Sequence, residues 1–187
     1  YDNEEYMARS PIPVFSRAST DNDRGIKHEY TSSMWYSAST FFYCQKFDYE
    51  IKNDEVQLHY EYLLPTVPQT TFDVTYTVTS PGVIKVDCFY HGQNDLPELP
   101  LVGMCFKLYN VVDRFTFLGG GPLENYKDRK QGAKLDVYKQ KVKDNVTPYL
   151  VPQECGNRCD VRYVKVTDEN DNGLSFVSKN TPFEMNV

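Results

Sequence analysis

The chain has 187 residues and carries 26 acidic against 20 basic side chains, which gives a net charge of −6 at pH 7. Charges of both signs are interspersed, so no basic stripe is available to displace counterions from a nucleic acid, and we expect no nucleic-acid partner. No apolar run approaches the roughly 18 residues of a membrane-spanning helix and the N-terminus is polar, so neither a membrane partner nor a signal peptide is predicted.

The composition favours β-structure. The chain has 19 Val, 13 Thr, 15 Tyr and 11 Phe but only 4 Ala, and β-branched and aromatic residues suit pleated, half-buried surfaces. We therefore predict an all-β fold, a large antiparallel β-sandwich that forms a single domain over residues 1–187. The chain lacks an initiator methionine and stops within an apparent strand, so we expect a fragment truncated at both ends.

Residues 1–25 are expected to be irregular, with residues 1–13 as an arm, and one short helix is predicted within residues 32–42. Alternation of apolar and polar residues predicts strands at 56–64, 72–78, 84–90, 102–108, 113–118, 160–167 and 174–178. The turn signal at 80–82 predicts a hairpin between the strands on either side of it. Strands at such intervals, separated by turns, are typical of a sandwich.

The turn at residues 168–173 also resembles the opening of a calcium-binding loop. Asp168, Asn170 and Asn172 match the first ligand positions, but Lys179 stands at the twelfth, where the loop needs a glutamate. A hairpin turn is therefore the preferred interpretation.

Five cysteines, an odd number, indicate a reducing compartment, and we expect the cytoplasm. Cys88 and Cys105 lie in apolar strand-like runs and are predicted to be small buried residues. Cys155 and Cys159 have neither zinc spacing nor a second Cys/His pair nearby, so no metal site is predicted in the chain.

Two glutamates deserve comparison with a glycosidase pair, which needs carboxyl groups about 5–10 Å apart. The sequence leaves open that Glu124 and Glu154 form such a pair. Each is close in sequence to an arginine, Arg129 or Arg158, and a structural ion-pair network explains both more simply. The glycines at 119–121 lack phosphate-loop spacing and are predicted to allow close backbone approach or positive φ.

Three segments carry a family resemblance. Residues 119–129 and 148–158 fit neither a helical nor a strand period and are dense in Gly, Pro, Asn and paired charge, so we predict irregular backbone for both. The first motif, residues 17–25, reads RASTDNDRG; the second motif, residues 119–129, reads GGGPLENYKDR; the third motif, residues 148–158, reads PYLVPQECGNR. In this order and spacing they resemble the small-subunit, or C-terminal, domain of family 2 β-galactosidases. The chain departs from that pattern at Ser19, Leu101 and residues 117–122, which affects the expected subunit contacts rather than the fold.

The resemblance implies a supersandwich of the galactose mutarotase-like kind with no catalytic residue of its own. The two catalytic glutamates are expected on a TIM-barrel domain or large subunit, which acts on terminal β-D-galactosides such as lactose. Magnesium and sodium are expected in that partner, no cofactor in this chain, and assembly into a hetero- or homo-oligomer.

Candidate site residues follow from the motifs. Asp23, Arg24, Gly25 and His28 are predicted at the rim of a composite active site. Gly25 is able to take backbone angles closed to other residues, so residues 26–30 are expected to shift as substrate enters; a packed turn that braces the arm is the alternative, and the two roles are compatible. Residues expected to hold the motif loops are Arg17, Asp21, Glu124, Arg129, Glu154 and Arg158.

Two other functions remain open from the sequence. The 27 Phe, Tyr and Trp residues could give a free-standing carbohydrate-binding module its stacking surfaces. The hypothesis that the chain is an enzyme of the mutarotase kind rests on fold analogy alone, and no local motif indicates which residues would serve as its acid and base.

Overall fold

The computed structural model of the chain describes residues 5–80, 82–109 and 111–187, and its described sheets are antiparallel. The described residues divide into two compact units. The first unit comprises residues 11–105, and the second comprises residues 5–10 with 106–187.

The first unit is built on a four-stranded sheet of order β2-β3-β4-β5. Its strands are β2 (Tyr43–Lys52), β3 (Glu55–Leu64), β4 (Thr70–Thr79) and β5 (Val83–His91). The chain enters through β1 (Ile12–Val14), which pairs with β6 (Gly103–Cys105). Three short helices precede the sheet: α1 (Asp21–Gly25), α2 (His28–Thr31) and α3 (Met34–Thr40).

The core of the first unit is aromatic. Phe15 and Phe72 are fully buried and meet edge to face, with ring centroids 5.2 Å apart. Trp35 on α3 is also buried, and its indole N–H donates to the Pro97 carbonyl at 3.2 Å. This bond satisfies the polar atom of a large apolar side chain, so α3 is held by the burial of Trp35 and by one specific contact with the connection at residues 92–102.

The second unit contains a four-stranded sheet of order β11-β10-β7-β8 and a separate pair of strands, β9 and β12. The strands are β7 (Arg114–Gly121), β8 (Lys134–Lys141), β9 (Arg158–Val161), β10 (Tyr163–Thr167), β11 (Gly173–Val177) and β12 (Phe183–Met185). A 3₁₀ turn, Val142–Asp144, follows β8. The core of the second unit includes Phe115, Phe117 and Val161, which are fully buried.

The all-β, antiparallel sandwich class is confirmed. The predicted short helix is α3, the 80–82 turn joins β4 to β5, and the 168–173 turn joins β10 to β11. The predicted strand at 160–167 is interrupted at Arg162, whose backbone N–H bonds to the Leu118 carbonyl between β9 and β10. The predicted strand at 102–108 is reduced to the three residues of β6.

Three predictions were wrong. Residues 1–25 are not wholly irregular, because β1 finds a partner strand and α1 is capped by Thr20; residues 1–4 lie outside the described part of the chain. The glycines at 119–121 lie in strand β7 rather than in a loop, since β8 supplies their hydrogen-bond partners. Cys88 is exposed, not buried, because it lies on the edge strand β5; Cys105 is half-buried.

Candidate functional site

The first motif folds into a short capped helix. The Thr20 hydroxyl accepts from the Asp23 backbone N–H at 3.3 Å, and the Asp23 carboxylate accepts from the Thr20 backbone N–H at 2.8 Å. This reciprocal arrangement is a capping box, which satisfies two donors at the start of α1. The first motif therefore caps the helix that it forms, with polar side chains of its own.

Asp23 is also the centre of an ion pair. The Arg17 guanidinium donates to both carboxylate oxygens, so this predicted loop-holding residue contacts a predicted rim residue. Partial burial raises the pKa of Asp23, but the hydrogen bonds from Arg17 and Thr20 outweigh it and hold the pKa below its ordinary value. Asp23 is thus a charged structural anchor rather than a poised acid.

On α1 Arg24 is half-buried and Gly25 is exposed. Arg24 pairs with Asp21 at 3.0 Å across one helical turn, a solvated contact that stabilises by only a few tenths of a kcal/mol. Gly25 has helical backbone without positive φ, and a Cβ built on it would meet no atom within 4 Å. Gly25 therefore does not use the backbone angles closed to other residues in this structure, and its role in a shift of residues 26–30 stays a prediction.

A cavity of about 430 Å³ opens beside α1 in the first unit. Arg17, Asp23 and His28 contribute to its wall, whereas Arg24 and Gly25 do not. His28 is half-buried, and its Nε2 atom is shielded from solvent with no hydrogen-bond partner in the described part of the chain. Sequence reasoning missed the serines that complete the wall, although they were visible as a Ser-rich stretch: Ser16, Ser19, Ser32, Ser33 and Ser37.

The second and third motifs meet in the second unit around the Glu124 carboxylate. Its side chain is only 9% exposed. Oε2 accepts from the Gly156 backbone N–H at 2.8 Å, and Oε1 accepts from Arg129 at 2.7 Å and from the Tyr149 hydroxyl. Arg129 donates to the Tyr149 oxygen as well, at 2.7 Å. One carboxylate thus joins two segments that are 32 residues apart.

The electrostatics of this cluster oppose acid–base chemistry. Burial raises the pKa of Glu124, but hydrogen bonds from Tyr149 and Gly156, with the charge of Arg129, lower it by more and leave it below the ordinary value. Burial and the Glu124 carboxylate raise the pKa of Tyr149. The carboxyl therefore stays ionised and the phenol stays neutral near pH 7, which suits a structural hydrogen-bond network.

Two asparagines that sequence reasoning overlooked complete the contact between the second and third motifs. The Asn125 side chain donates to the Gly120 carbonyl at 2.9 Å and accepts from the Cys159 backbone N–H at 2.8 Å. The Asn157 side chain donates to the Asn125 carbonyl at 2.9 Å, and the Asn125 backbone N–H donates to the Asn157 carbonyl at 2.9 Å. Both asparagines lie within the motifs, so the sequence did show side-chain amides that could hydrogen-bond the backbone there.

The glycines of the second motif allow close packing, as one of the two predicted alternatives required. A Cβ on Gly119 would lie 2.9 Å from a Val161 methyl group, and one on Gly121 would lie 2.7 Å from the Tyr138 ring. In the third motif Gly156 has φ +86°, and a Cβ there would lie 2.6 Å from the Asn145 amide. A side chain at any of these three positions would force its neighbours to shift.

Arg158 and Glu154 do not form the expected ion pair. Arg158 is 3% exposed, donates to the Gly156 carbonyl at 3.0 Å and to the Gln140 side chain at 3.0 Å, and burial lowers its pKa. Glu154 instead accepts from the Asn186 amide at 2.5 Å. Sequence proximity to Arg158 was misleading because Arg158 lies in β9 and turns into the core against Phe117.

The two other histidines and the Asp168 turn have ordinary structural partners. His59 lies 3.0 Å from the Thr75 hydroxyl, and His91 pairs with Asp73 at 2.8 Å. The Asp168 carboxylate accepts two backbone N–H groups of its own turn at 2.8 and 2.9 Å, as a hairpin Asx turn does. Over residues 5–80, 82–109 and 111–187, no helix is long and apolar enough to cross a membrane, and no group of three His, Cys, Asp or Glu side chains could hold a metal ion.

Comparison with known proteins places these features in a family. Residues 1–187 match the family described as beta galactosidase small chain. A β-galactosidase of Clostridium acetobutylicum is 45% identical over 138 residues, which are 74% of this chain and 15% of that protein. A β-galactosidase of Halalkalibacterium halodurans is 36% identical over 190 residues, 100% of this chain and 19% of that protein.

A third relative is itself a separate subunit. The β-galactosidase small subunit of Latilactobacillus sakei is 38% identical over 173 residues, which cover 82% of this chain and 54% of that subunit. The chain thus spans less than a fifth of the two longer β-galactosidases and about half of the small subunit.

Proposed function

The chain belongs to the β-galactosidase small-chain family, and we propose that it is the non-catalytic small-chain part of a β-D-galactosidase. In this role it completes the active site and the assembly of a catalytic chain that hydrolyses terminal β-D-galactosides such as lactose. The match over residues 1–187 is the observation that carries the proposal.

The carboxylates of the motifs support a non-catalytic role. Glu124 is ionised and accepts hydrogen bonds from Arg129, Tyr149 and Gly156, so it has no proton to give to a leaving group. Glu154 is engaged by Asn186. A retaining glycosidase needs one carboxyl as nucleophile and one as acid/base, and the proposal assigns both to glutamates of the catalytic partner.

The contribution to the active site is assigned to the first unit. His28 and the Arg17–Asp23 pair contribute to the wall of the 430 Å³ cavity, and His28 keeps a ring nitrogen without a described partner. We assign the rim to the surface that carries Asp23, Arg24, Gly25 and His28. His28 is the member best suited to bind a sugar hydroxyl, since an imidazole nitrogen can donate or accept.

The same proposal has consequences for the assembly. The magnesium and sodium ions of the complete enzyme belong to the catalytic partner, and this chain holds no cofactor. The enzyme is a hetero- or homo-oligomer in the cytoplasm; the five unpaired cysteines support a reducing compartment.

Reconstitution tests the proposal directly. The chain alone, assayed on a chromogenic β-galactoside, should give no turnover, and activity should appear when it is co-purified with the large-subunit product of the neighbouring gene. Turnover by the chain alone, or full activity of the large subunit without it, would refute the assignment.

A pair of histidine variants tests the rim in the reconstituted enzyme. His28→Ala should raise KM about two- to tenfold, because removal of one hydrogen-bonding group costs about 0.5–1.5 kcal/mol. His91→Ala is the matched control, since His91 is paired with Asp73 on the sheet and should leave KM unchanged. Equal kinetics of both variants would remove His28 from the rim and leave the small-chain assignment intact.

A further inference from the structure

The four-stranded sheet of the first unit ends on two edge strands, β2 and β5. Within the described ranges, β5 pairs with β4 on one side and with no strand on the other. The free side of an edge strand presents unpaired N–H and C=O groups, which make it a template for a further strand. We call residues 83–89 of this strand the β5 edge.

The β5 edge is long and regular. Proteins commonly blunt an edge with a bulge, a proline or a very short strand. Strand β5 has nine residues, contains no proline, and its ladder with β4 runs without a register shift from Val83 to His91. Val83 and Phe89, near its two ends, are 61% and 62% exposed. The geometry of the strand therefore permits pairing along its whole length.

The sequence of the β5 edge is complementary to itself about Val86. If two copies pair antiparallel around a two-fold axis at Val86, Lys85 of each copy lies opposite Asp87 of the other. Opposite charges, and apolar side chains, that lie directly across a ladder stabilise the pairing of the strands. The remaining opposed pairs are all of the second kind: Val83 with Phe89, Ile84 with Cys88, and Val86 with the second copy's Val86.

Charge selects this register over its neighbours. Because side chains alternate between faces, two β5 strands can slide past each other only in steps that keep each side chain on its own face. One step places Lys85 opposite the second copy's Lys85, and the step in the other direction places Asp87 opposite the second copy's Asp87. Like charges directly opposite are destabilising. The register centred on Val86 avoids both conflicts.

The charges are already arranged for this contact. Lys85 and Asp87 form an ion pair at 2.5 Å along the strand, and each side chain is 54% exposed. When two copies pair about Val86, the four charges alternate in sign around a ring, so that each has an opposite charge beside it and another across from it. Pairing therefore adds favourable contacts without breaking the existing ion pair.

Strand β2, the other edge, has the reverse properties. Its ladder with β3 contains a register shift next to Lys46. Symmetric pairing of two copies about Tyr49 would place Lys46 opposite Lys52 and Asp48 opposite Glu50, so every charged pair would be one of like charges. The irregular ladder and the order of charges both oppose self-pairing of β2.

We propose that a second copy of this chain adds to the β5 edge in the antiparallel register centred on Val86. Two four-stranded sheets then become one continuous sheet of eight strands, a number that open twisted sheets accommodate. Because one strand from each copy supplies the contact, its area is small, and we expect a reversible dimer that forms as the concentration rises. Dimerisation of this kind goes beyond the proposed function, since it needs no catalytic partner.

Sedimentation velocity of the full chain over a range of concentrations measures the dimer. Lys85→Asp should raise the dissociation constant of the dimer at least about fourfold, because two pairs of opposite charges become pairs of like charges. Asp87→Lys should do the same for the same reason. An equimolar mixture of these two variants should recover association, because each strand then carries the charges that the other lacks.

The other edge provides the matched control. Lys46 and Asp48 on β2 form an ion pair of the same spacing, 3.1 Å apart, with side chains 60% and 62% exposed. Lys46→Asp makes the same change of charge as Lys85→Asp and removes an equivalent ion pair. It should leave the dissociation constant of the dimer unchanged.

Hydrogen exchange of the wild-type chain gives a second readout that depends on no variant. Backbone amides of residues 83–89 should exchange more slowly as the protein concentration is raised, because pairing engages the groups at the free edge. Amides of residues 43–52 should exchange at a rate independent of concentration. Protection of β2 instead of β5 would assign the contact to the other edge and overturn the proposal.

Three results from sedimentation would also overturn it. They are a wild-type chain that stays monomeric at its highest soluble concentration, a dissociation constant that responds equally to Lys85→Asp and Lys46→Asp, and a mixture of Lys85→Asp and Asp87→Lys that does not associate. These measurements record self-association, not turnover. Their failure would leave the small-chain assignment intact, and failed reconstitution of the enzyme would leave the dimer intact.

Discussion

Replacement of Glu124 separates a structural carboxylate from a catalytic one. In Glu124→Ala the Gly156 N–H and the Tyr149 hydroxyl lose their acceptor in a largely buried site. Hydrogen bonds to a charged group contribute about 1.5–3 kcal/mol each but do not add fully. Since removal of one partner of a buried charged network costs about 3–5 kcal/mol, we expect a loss of that size in the free energy of unfolding.

Two milder variants show how much of that loss in unfolding free energy comes from the charge of Glu124 and how much from its ion pair with Arg129. Glu124→Gln keeps an acceptor oxygen but removes the charge, so it should cost about 1–3 kcal/mol. Arg129→Ala should cost no more than about 1 kcal/mol, because the Arg129 side chain is 56% exposed and its ion pair is screened by solvent. Urea unfolding of the chain measures all three variants; a larger loss for Arg129→Ala than for Glu124→Ala would contradict the assigned roles.

The pH dependence has a definite sign. The folded pKa of Glu124 lies below that of an unfolded glutamate, about 4.3, so its charge stabilises the fold fully above that value. The stabilisation is lost as the pH falls through the folded pKa. The difference in unfolding free energy between wild type and Glu124→Gln should therefore be constant near pH 7 and shrink below about pH 4.

The result that would refute a structural role is kinetic. If Glu124→Gln left the unfolding free energy unchanged and lowered kcat of the reconstituted enzyme about a thousandfold or more, Glu124 would be acting on the substrate. A structural carboxylate predicts the reverse: lower stability, with kcat per folded molecule close to that of wild type.

Substitutions at three further positions probe the motif backbones, each measured by thermal unfolding. Gly121→Ala should lose about 1–3 kcal/mol because its Cβ would collide with the Tyr138 ring, and an unchanged melting temperature would contradict the close approach. Gly25→Ala should instead gain about 0.4–1 kcal/mol, since Gly25 is helical with open space around it; a loss would restore the special backbone role. Thr20→Ala should cost about 1 kcal/mol through loss of the α1 cap, whereas Thr20→Ser should be nearly neutral.

Strands with one buried face were predictable from the sequence. The alternation at residues 56–64 and 72–78 gave β3 and β4 to within a few residues, because burial of one face imposes a period of two. Strand β2 carries the same signal, with Phe47, Tyr49 and Ile51 alternating with charged residues, and it was overlooked. That β2 is exposed along its length could be seen only in the structure, because the sequence does not reveal that β2 is an edge strand.

Contacts within a motif were also predictable, and contacts between motifs were not. The Glu124–Arg129 pair follows from sequence proximity and was confirmed at 2.7 Å. The bond from Gly156 to Glu124 joins residues 32 apart, and nothing in either motif names the other as its partner. The capping box at Thr20 could have been recognised, because Thr and Asp stand three positions apart at the start of α1.

The polar side chains of the three motifs are engaged mainly in holding backbone. Glu124 binds a main-chain donor of the third motif, Asn125 binds the main-chain donor of Cys159 directly after that motif, and Asp23 caps its own helix while pairing with Arg17. A carboxylate that satisfies backbone N–H groups is fixed in position and ionised, which is the opposite of what proton transfer requires. His28 differs, since its Nε2 has no hydrogen-bond partner within the described ranges and the residue contributes to the wall of a cavity. Any chemistry that this chain offers to a substrate is therefore better sought at His28 than at the carboxylates from which its family was recognised.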